Sequence, residues 1–285
     1  MFRWGFFLAK SNVEQPKKIK TMQSLQQLTL PVWPLEDNTI LEQVSVTFQT
    51  FGLPLGTAPI ILINHSLKGN SDCTYHWEGV MGKNKAIDLN EYTVICIDIP
   101  GNGISETIKY DYIPREKITA RDVAVLFWLA LFELEVQEIF AIIGADLGGG
   151  IAWEMACLFP NKVLNIIPIA ASPKTEDWLV KEPTAKNEYL KSIFYSIDIA
   201  RNRGDILEVS QFIKSNIHVI YVKEGNVFNK AELKRYYTKL QKFNKHVKFY
   251  EIEQIEDNEL VKEHIEQVEK IVDGILEKEF INNVA

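Results

Sequence analysis

Cysteine is scarce in this chain. The three residues, Cys73, Cys96 and Cys157, are far apart and form no CxxC pair, which excludes a disulfide framework and a cysteine-built zinc site. Cys96 lies in an apolar run and Cys157 in a helix-like stretch, so both read as small core residues. Positive charge is also in short supply. Lysine and arginine total 31 against 38 acidic residues, a formal net charge of −7 with no long basic run, so a nucleic-acid footprint is not expected. Long hydrophobic runs are missing as well. Among the first 21 residues the apolar piece, Phe6 to Ala9, is too short for a signal-peptide core or a bilayer span. No membrane association is expected, and cytoplasmic location is the default expectation. Histidine is sparse, five in 285 residues, a small stock for chemistry that needs a base.

What is present is ordinary globular material, 46% apolar and 24% charged, enough for one large domain with a sizeable core. Residues 1–21 are expected to form a mobile extension, with Met22 as an alternative start, and residues 22–285 a single domain. Alternation over Val44–Phe48 suggests an early antiparallel strand. The β-branched runs Pro59–Asn64 and Tyr92–Asp98 read as strands covered on both faces. Thr119 to Val136 carries a helical period with Thr119 as N-cap and Asp122 in the first turn. Strands at Ile139–Ile143, Val163–Ala170, Ile217–Val222 and Val247–Ile252 follow, with helices at Lys230–Lys242 and about Asn258–Glu279. This alternation predicts a mostly parallel, doubly wound sheet with helices on both faces.

The most informative stretch is Gly144-Ala145-Asp146-Leu147-Gly148-Gly149, where a buried strand runs straight into a helix. This is the shape of a nucleophile elbow, G-x-S-x-G, whose sharp turn needs small residues on both sides. Asp146 stands at the tip, where the motif has a hydroxyl. A phosphate cradle is the weaker reading, because GADLGGG fits neither nucleotide-binding glycine pattern and an acid at the helix start repels anions.

With the elbow placed, the flanking motifs resemble homoserine O-acetyltransferases, acyl-CoA-dependent enzymes of methionine biosynthesis with the α/β-hydrolase fold. Asn64-His65-Ser66-Leu67-Lys68-Gly69 is similar to the family's oxyanion-loop pattern H-A-L-T-G. Gly82–Asp88 with Tyr92–Cys96, the loop Ile99–Ser105 and the elbow itself follow in the family's order. Ser196–Gly204 is similar to the segment that re-enters the core after the cap. The resemblance implies Leu67 and Leu147 as oxyanion-loop positions, and His65, Ser66, Lys68 and Arg201 as candidate ligand contacts.

The departures concern the triad. A serine nucleophile, a histidine base and an orienting aspartate are what the family uses. Here Asp146 replaces the serine. The acid position falls on Gly225, or on Glu224 with a one-residue shift, and Glu256 stands at the histidine position. A cap reduced to about residues 173–212 is also expected. The resemblance therefore implies a non-catalytic or strongly altered relative acting in ligand or protein binding, its partner a small molecule or another protein. Two alternatives stand beside it: a hydrolase with Asp146 as nucleophile, like dehalogenases and epoxide hydrolases, or residual acyl transfer. Acetyl-CoA would be a co-substrate only in the last case; no other cofactor and no metal is expected. The blander reading of the histidines is surface or loop residues, with His65 packing beneath the site, and Trp77, Trp128 and Trp153 read as core aromatics.

Overall fold

Short β-branched runs dictate the centre of the molecule. The structure, a computed structural model, describes residues 25–102, 112–175, 187–222, 230–252 and 264–284. Its elements in chain order are β1 (Gln26–Pro34), β2 (Ile40–Gly52), β3 (Ile60–Asn64), α1 (Cys73–His76), β4 (Met81–Gly82), β5 (Ile87–Asp88), β6 (Thr93–Ile97), α2 (Ala120–Glu133), β7 (Ile139–Ala145) and α3 (Leu147–Leu158). They continue with β8 (Val163–Ile169), α4 (Glu188–Tyr195), α5 (Ile206–Ser210), β9 (Asn216–Val222), α6 (Lys230–Phe243), β10 (Val247–Ile252) and α7 (Ile265–Val284).

One eight-stranded sheet has the order β1-β2-β6-β3-β7-β8-β9-β10. The pairs β1/β2 and β2/β6 are antiparallel and every pair from β6 to β10 is parallel. Side-chain alternation divides the apolar residues between two layers. Leu62, Ile95, Ile142 and Ile217 join α2 and α3 in one, while Ile63, Cys96, Ile143 and Ile220 join α7 in the other. Trp77, Trp128 and Trp153 are all buried in these layers. The chain passes from β3 outward to β6, then crosses back over β3 to β7. The strand order reverses at β3/β7, and in open α/β sheets the crevice beyond such a switch point is where ligands bind.

Local signals set the boundaries. Thr119 caps α2 in a capping box with Asp122, a reciprocal arrangement that satisfies two otherwise orphaned N–H groups. β1 was not expected, because Pro31 and Pro34 break its strand pattern. As an edge strand it tolerates proline, and Trp33, fully buried, pins it to α2 by donating Nε1–H to Asp122 O at 2.9 Å. β2 extends well beyond Val44–Phe48 for the same reason: it pairs on both sides, with β1 and with β6.

The expected cap region contributes α4 and α5 among the described residues, with residues 176–186 outside them. Asn187 caps α4, whose Tyr189, Leu190, Ile193 and Phe194 are buried. Tyr189 Oη donates to Pro100 O at 3.1 Å, so α4 lies against the loop that follows β6.

Two histidines correct the reading of surface or loop positions. His264 is buried and immediately precedes α7; residues 258–263, where the last helix was expected to begin, lie outside the described residues. His218 is buried in β9, in a polar cluster near the N-terminal ends of β8–β10. There Glu279 of α7, itself buried, accepts from Asn216 Nδ2 at 3.0 Å and Lys248 Nζ at 3.4 Å. Asn216 also donates to Asn165 Oδ1, and His218 Nδ1 lies 3.1 Å from Tyr250 Oη. The His218 ring is 3.6 Å from Glu279, yet burial, with the charges of Lys248 and Lys278, pushes its pKa down to about 4. We take the ring as neutral, since the Glu279 carboxylate is already engaged by Lys248 and Asn216.

Candidate active site

The elbow is built by steric exclusion. A Cβ on Gly148 would collide with the carbonyl oxygen of Asn64, and one on Gly144 with the backbone of Gly148. The end of β3, the end of β7 and the first turn of α3 therefore converge more closely than any side chain allows. Between Gly144 and Gly148, Asp146 adopts φ 42° and ψ −109°, a conformation that costs a non-glycine residue of order 1–3 kcal/mol. Its backbone is held at both ends: N–H donates to Ile169 O and the carbonyl accepts from Gly150 N–H, each at 3.0 Å.

The carboxylate is seated on two backbone amides. Leu67 N–H, from the loop after β3, donates to Asp146 Oδ1 at 2.9 Å. Leu147 N–H, the first of α3, donates to the same oxygen. These are the two amides that the oxyanion-loop pattern pointed to, and they meet on an oxygen of the elbow residue itself. Oδ2 makes no hydrogen bond with the described residues. Asp146 is half-buried. Desolvation is the main effect and outweighs the two amides and the positive charge of Lys68, so its pKa is pushed up to about 6.

The loop that supplies Leu67 is braced from beneath. His65 is buried, its Nδ1 2.9 Å from Ser66 O and its Nε2 accepting from Ile99 N–H at 3.2 Å. Burial lowers its pKa, so the ring is a neutral strut with both nitrogens engaged by backbone. Of its two readings, a ligand contact or a histidine packed beneath the site, the geometry fits the second. Asp98, at the end of β6, is the other brace, and it is absent from the candidates read in the sequence. It accepts from Ser71 N–H and Oγ at 2.7 Å each, from Thr47 Oγ at 2.8 Å and from Asn102 Nδ2 at 3.2 Å. The available signal was an aspartate closing an otherwise apolar strand, YTVICID.

The remaining candidates separate. Ser66 is half-buried with its Oγ accepting from Lys68 N–H at 3.4 Å, and Lys68 is exposed. Arg201 does not join the elbow. Its Nη1 lies 3.7 Å from Glu36, and Nη2 donates to Ser196 O. Glu36 also pairs with Arg121, which reaches Glu154, about two turns along α3 from Asp146. That ion network ties the segment after α4 to α2 and α3, with Arg201 as one of its anchors. Glu224, Gly225 and Glu256 lie outside the described residues. Among the described residues no group of His, Cys, Asp or Glu is arranged to hold a metal, and no helix is long and apolar enough to cross a membrane.

A topological switch point, a strained strand-to-helix elbow and two convergent amides define a class. The chain belongs to the α/β hydrolase fold family, whose model matches residues 59–201. Within it the chain is homoserine O-acetyltransferase-like. It is 30% identical over 202 residues to the homoserine O-acetyltransferase of Nostoc punctiforme, covering 65% of this chain and 56% of that protein. With the enzyme of the same name from Trichormus variabilis it shares 33% identity over 163 residues, 53% of this chain and 45% of that one. The chain thus spans about half the length of the curated relatives it matches. Two solved structures share the fold. The homoserine O-acetyltransferase of Bacillus anthracis has a TM-score of 0.73 at 19% identity, with 90% of this chain and 98% of that one covered. The acetyl esterase MekB has a TM-score of 0.74 at 14% identity, with 90% and 97% covered.

Proposed function

We propose that this protein is a non-catalytic relative of homoserine O-acetyltransferases that retains the family's scaffold for binding a small ligand or a protein partner in the cytoplasm. One observation carries the reading: the Asp146 carboxylate is seated on both amides that an acyl-transfer site would aim at a developing oxyanion. A negative charge fixed there opposes a second one, and an oxyanion hole acts only on charge that it can receive. No serine stands at the elbow, and His65, on the loop that supplies Leu67, has both ring nitrogens engaged. The test is acetyl-CoA-dependent acylation of homoserine by the purified protein beside Asp146→Ser. No turnover is expected in either, because one restored hydroxyl without its base leaves the nucleophile unactivated. Steady turnover by the unaltered protein would overturn the reading.

A second reading draws on the same carboxylate. With Oδ1 fixed by the amides and Oδ2 unengaged among the described residues, Asp146 resembles a positioned carboxylate nucleophile. Oδ2 would form a bond to the carbon of an alkyl halide or epoxide while the carbon–halogen or carbon–oxygen bond breaks, its electron pair leaving with the halide or alkoxide oxygen. Without a base to activate water, the ester would persist. Intact-mass measurement after incubation with 1,2-epoxybutane or 1-bromobutane distinguishes the two: a stoichiometric adduct on Asp146 favours the nucleophile, and an unchanged mass favours binding alone.

A further inference from the structure

The two amides at the elbow do not depend on Asp146 for their positions. Leu147 N–H is fixed by the first turn of α3. Leu67 N–H is fixed by a loop with its own ties: Gly69 N–H donates to Ser66 O at 3.0 Å, His65 bridges Ser66 and Ile99, and Asp98 holds Ser71. Two donors from separate segments thus converge on one carboxylate oxygen, and Lys68 adds a favourable charge nearby. This is the donor set of a carboxylate-binding site, and the carboxylate in it belongs to the chain itself.

We propose that Asp146 closes a latent carboxylate site in cis, and that the Leu67 and Leu147 amides take a free small carboxylate once that side chain is removed. The elbow aspartate is then an autoinhibitory contact. A tethered carboxylate holds the amides at an effective concentration that a dissolved ligand does not match, so the site is shut to outside anions while Asp146 is ionised and seated. The backbone supports its removal without damage. The positive φ of residue 146 favours glycine over any side chain, so Asp146→Gly relaxes the turn that the amides rest on. The inference rests on the non-catalytic reading above, in that the amides an acyl-transfer site would use are held shut by the elbow side chain.

The experiment uses the full chain, labelled with ¹⁵N, and follows the Leu67 and Leu147 amide resonances at pH 7.5. Sodium acetate is titrated against sodium chloride at equal ionic strength. In Asp146→Gly, both amides are expected to shift together and saturably with acetate, with a midpoint on the order of 10 mM, as befits a ligand of so few atoms. In the unaltered protein the same two resonances are expected to stay in place. A folded Asp146→Gly protein in which neither amide responds overturns the proposal, as does an unaltered protein that responds as the variant does. Asp146→Ala also clears the site while keeping the backbone strain, and the same paired shift is expected of it should the glycine variant fail to fold. Homoserine acylation by the unaltered protein would overturn the non-catalytic reading and leave this titration interpretable. Silent amides in an inactive protein would overturn the carboxylate site alone.

Discussion

The sheet carries a polar station near each end, and the two are built in opposite ways. At the C-terminal end, Asp146 is held by two backbone amides, with no side-chain counter-charge in contact among the described residues and a strained φ. Near the N-terminal end, Glu279 is matched by side chains: Lys248 and Asn216 satisfy it, with neutral His218 alongside. The second arrangement fastens α7 to the strands. The first fastens nothing that its glycines and backbone bonds do not already hold. Strained residues and perturbed carboxyls cluster at functional sites, and this contrast is what marks the elbow as the candidate.

The largest expected effect sharpens this contrast by asking what holds the elbow's amides. Asp98→Ala should destabilise the protein by about 3–5 kcal/mol, because a buried acceptor of four hydrogen bonds is lost and Ser71 N–H is left without its partner. Urea denaturation at pH 7.5 measures it. A loss below about 1 kcal/mol would mean that the loop is held by other contacts and that the elbow lacks an independent brace.

The two stations should also respond to pH with opposite signs. Asp146 has its pKa raised from 3.8 to about 6 in the folded state. The folded protein therefore binds the extra proton between those values, and this group's contribution falls as pH rises through that window. Above pH 6 its cost is about 3 kcal/mol. Asp146→Asn keeps an acceptor for the amides without the charge, so it should be more stable than the unaltered protein by about 2–3 kcal/mol at pH 7.5, with the gap closing below pH 4. Denaturant melts at several pH values read this directly, and a gap independent of pH would mean that the ionised carboxylate is not its source.

His218 runs the other way. Its folded pKa is lowered from 6.5 to about 4, so its neutral form favours folding above pH 6.5 and that advantage is lost as pH falls toward 4. His218→Gln should remove about 2 kcal/mol of that acid-side loss, somewhat less than the full shift implies because Glu279 lies 3.6 Å away to receive a protonated ring. Since the two groups oppose each other between pH 4 and 6, each single variant should expose the slope of the group that remains. A parallel displacement of the whole curve would remove the distinction between the stations.

Much of this architecture was legible because the strongest signals were local. Apolar runs of the length of IFAII or VLNIIPIA have few alternatives to buried strands, and the elbow glycines announce a turn whose geometry excludes side chains. Thr119 and Asp122 are three residues apart, as a capping box requires. Other features were hidden because they depend on distance in sequence. β1 is a strand only because β2 pairs with it despite Pro31 and Pro34. His65 looked like a ligand contact until Ile99, 34 residues on, claimed its second nitrogen. Arg201 belongs with Glu36, and Asp98 with Ser71 and Thr47, through contacts that no periodicity encodes. The elbow aspartate was visible as a substitution, whereas its seat on the Leu67 and Leu147 amides required both loops in place.

The smallest effect tests whether the elbow truly lacks a charge partner. Lys68 is exposed, and its charge lowers the Asp146 pKa only as the last of the contributing influences. Exposed charges couple weakly, so Lys68→Met should raise the Asp146 titration midpoint by a few tenths of a unit, as followed by the ¹³C shift of its carboxyl carbon. High salt should move the unaltered protein in the same direction, since screening removes the same attraction. A rise of about one unit or more would correspond to a direct ion pair rather than a distant charge. Asp146 would then be matched by a side chain as Glu279 is, and the two ends of the sheet would no longer differ in kind.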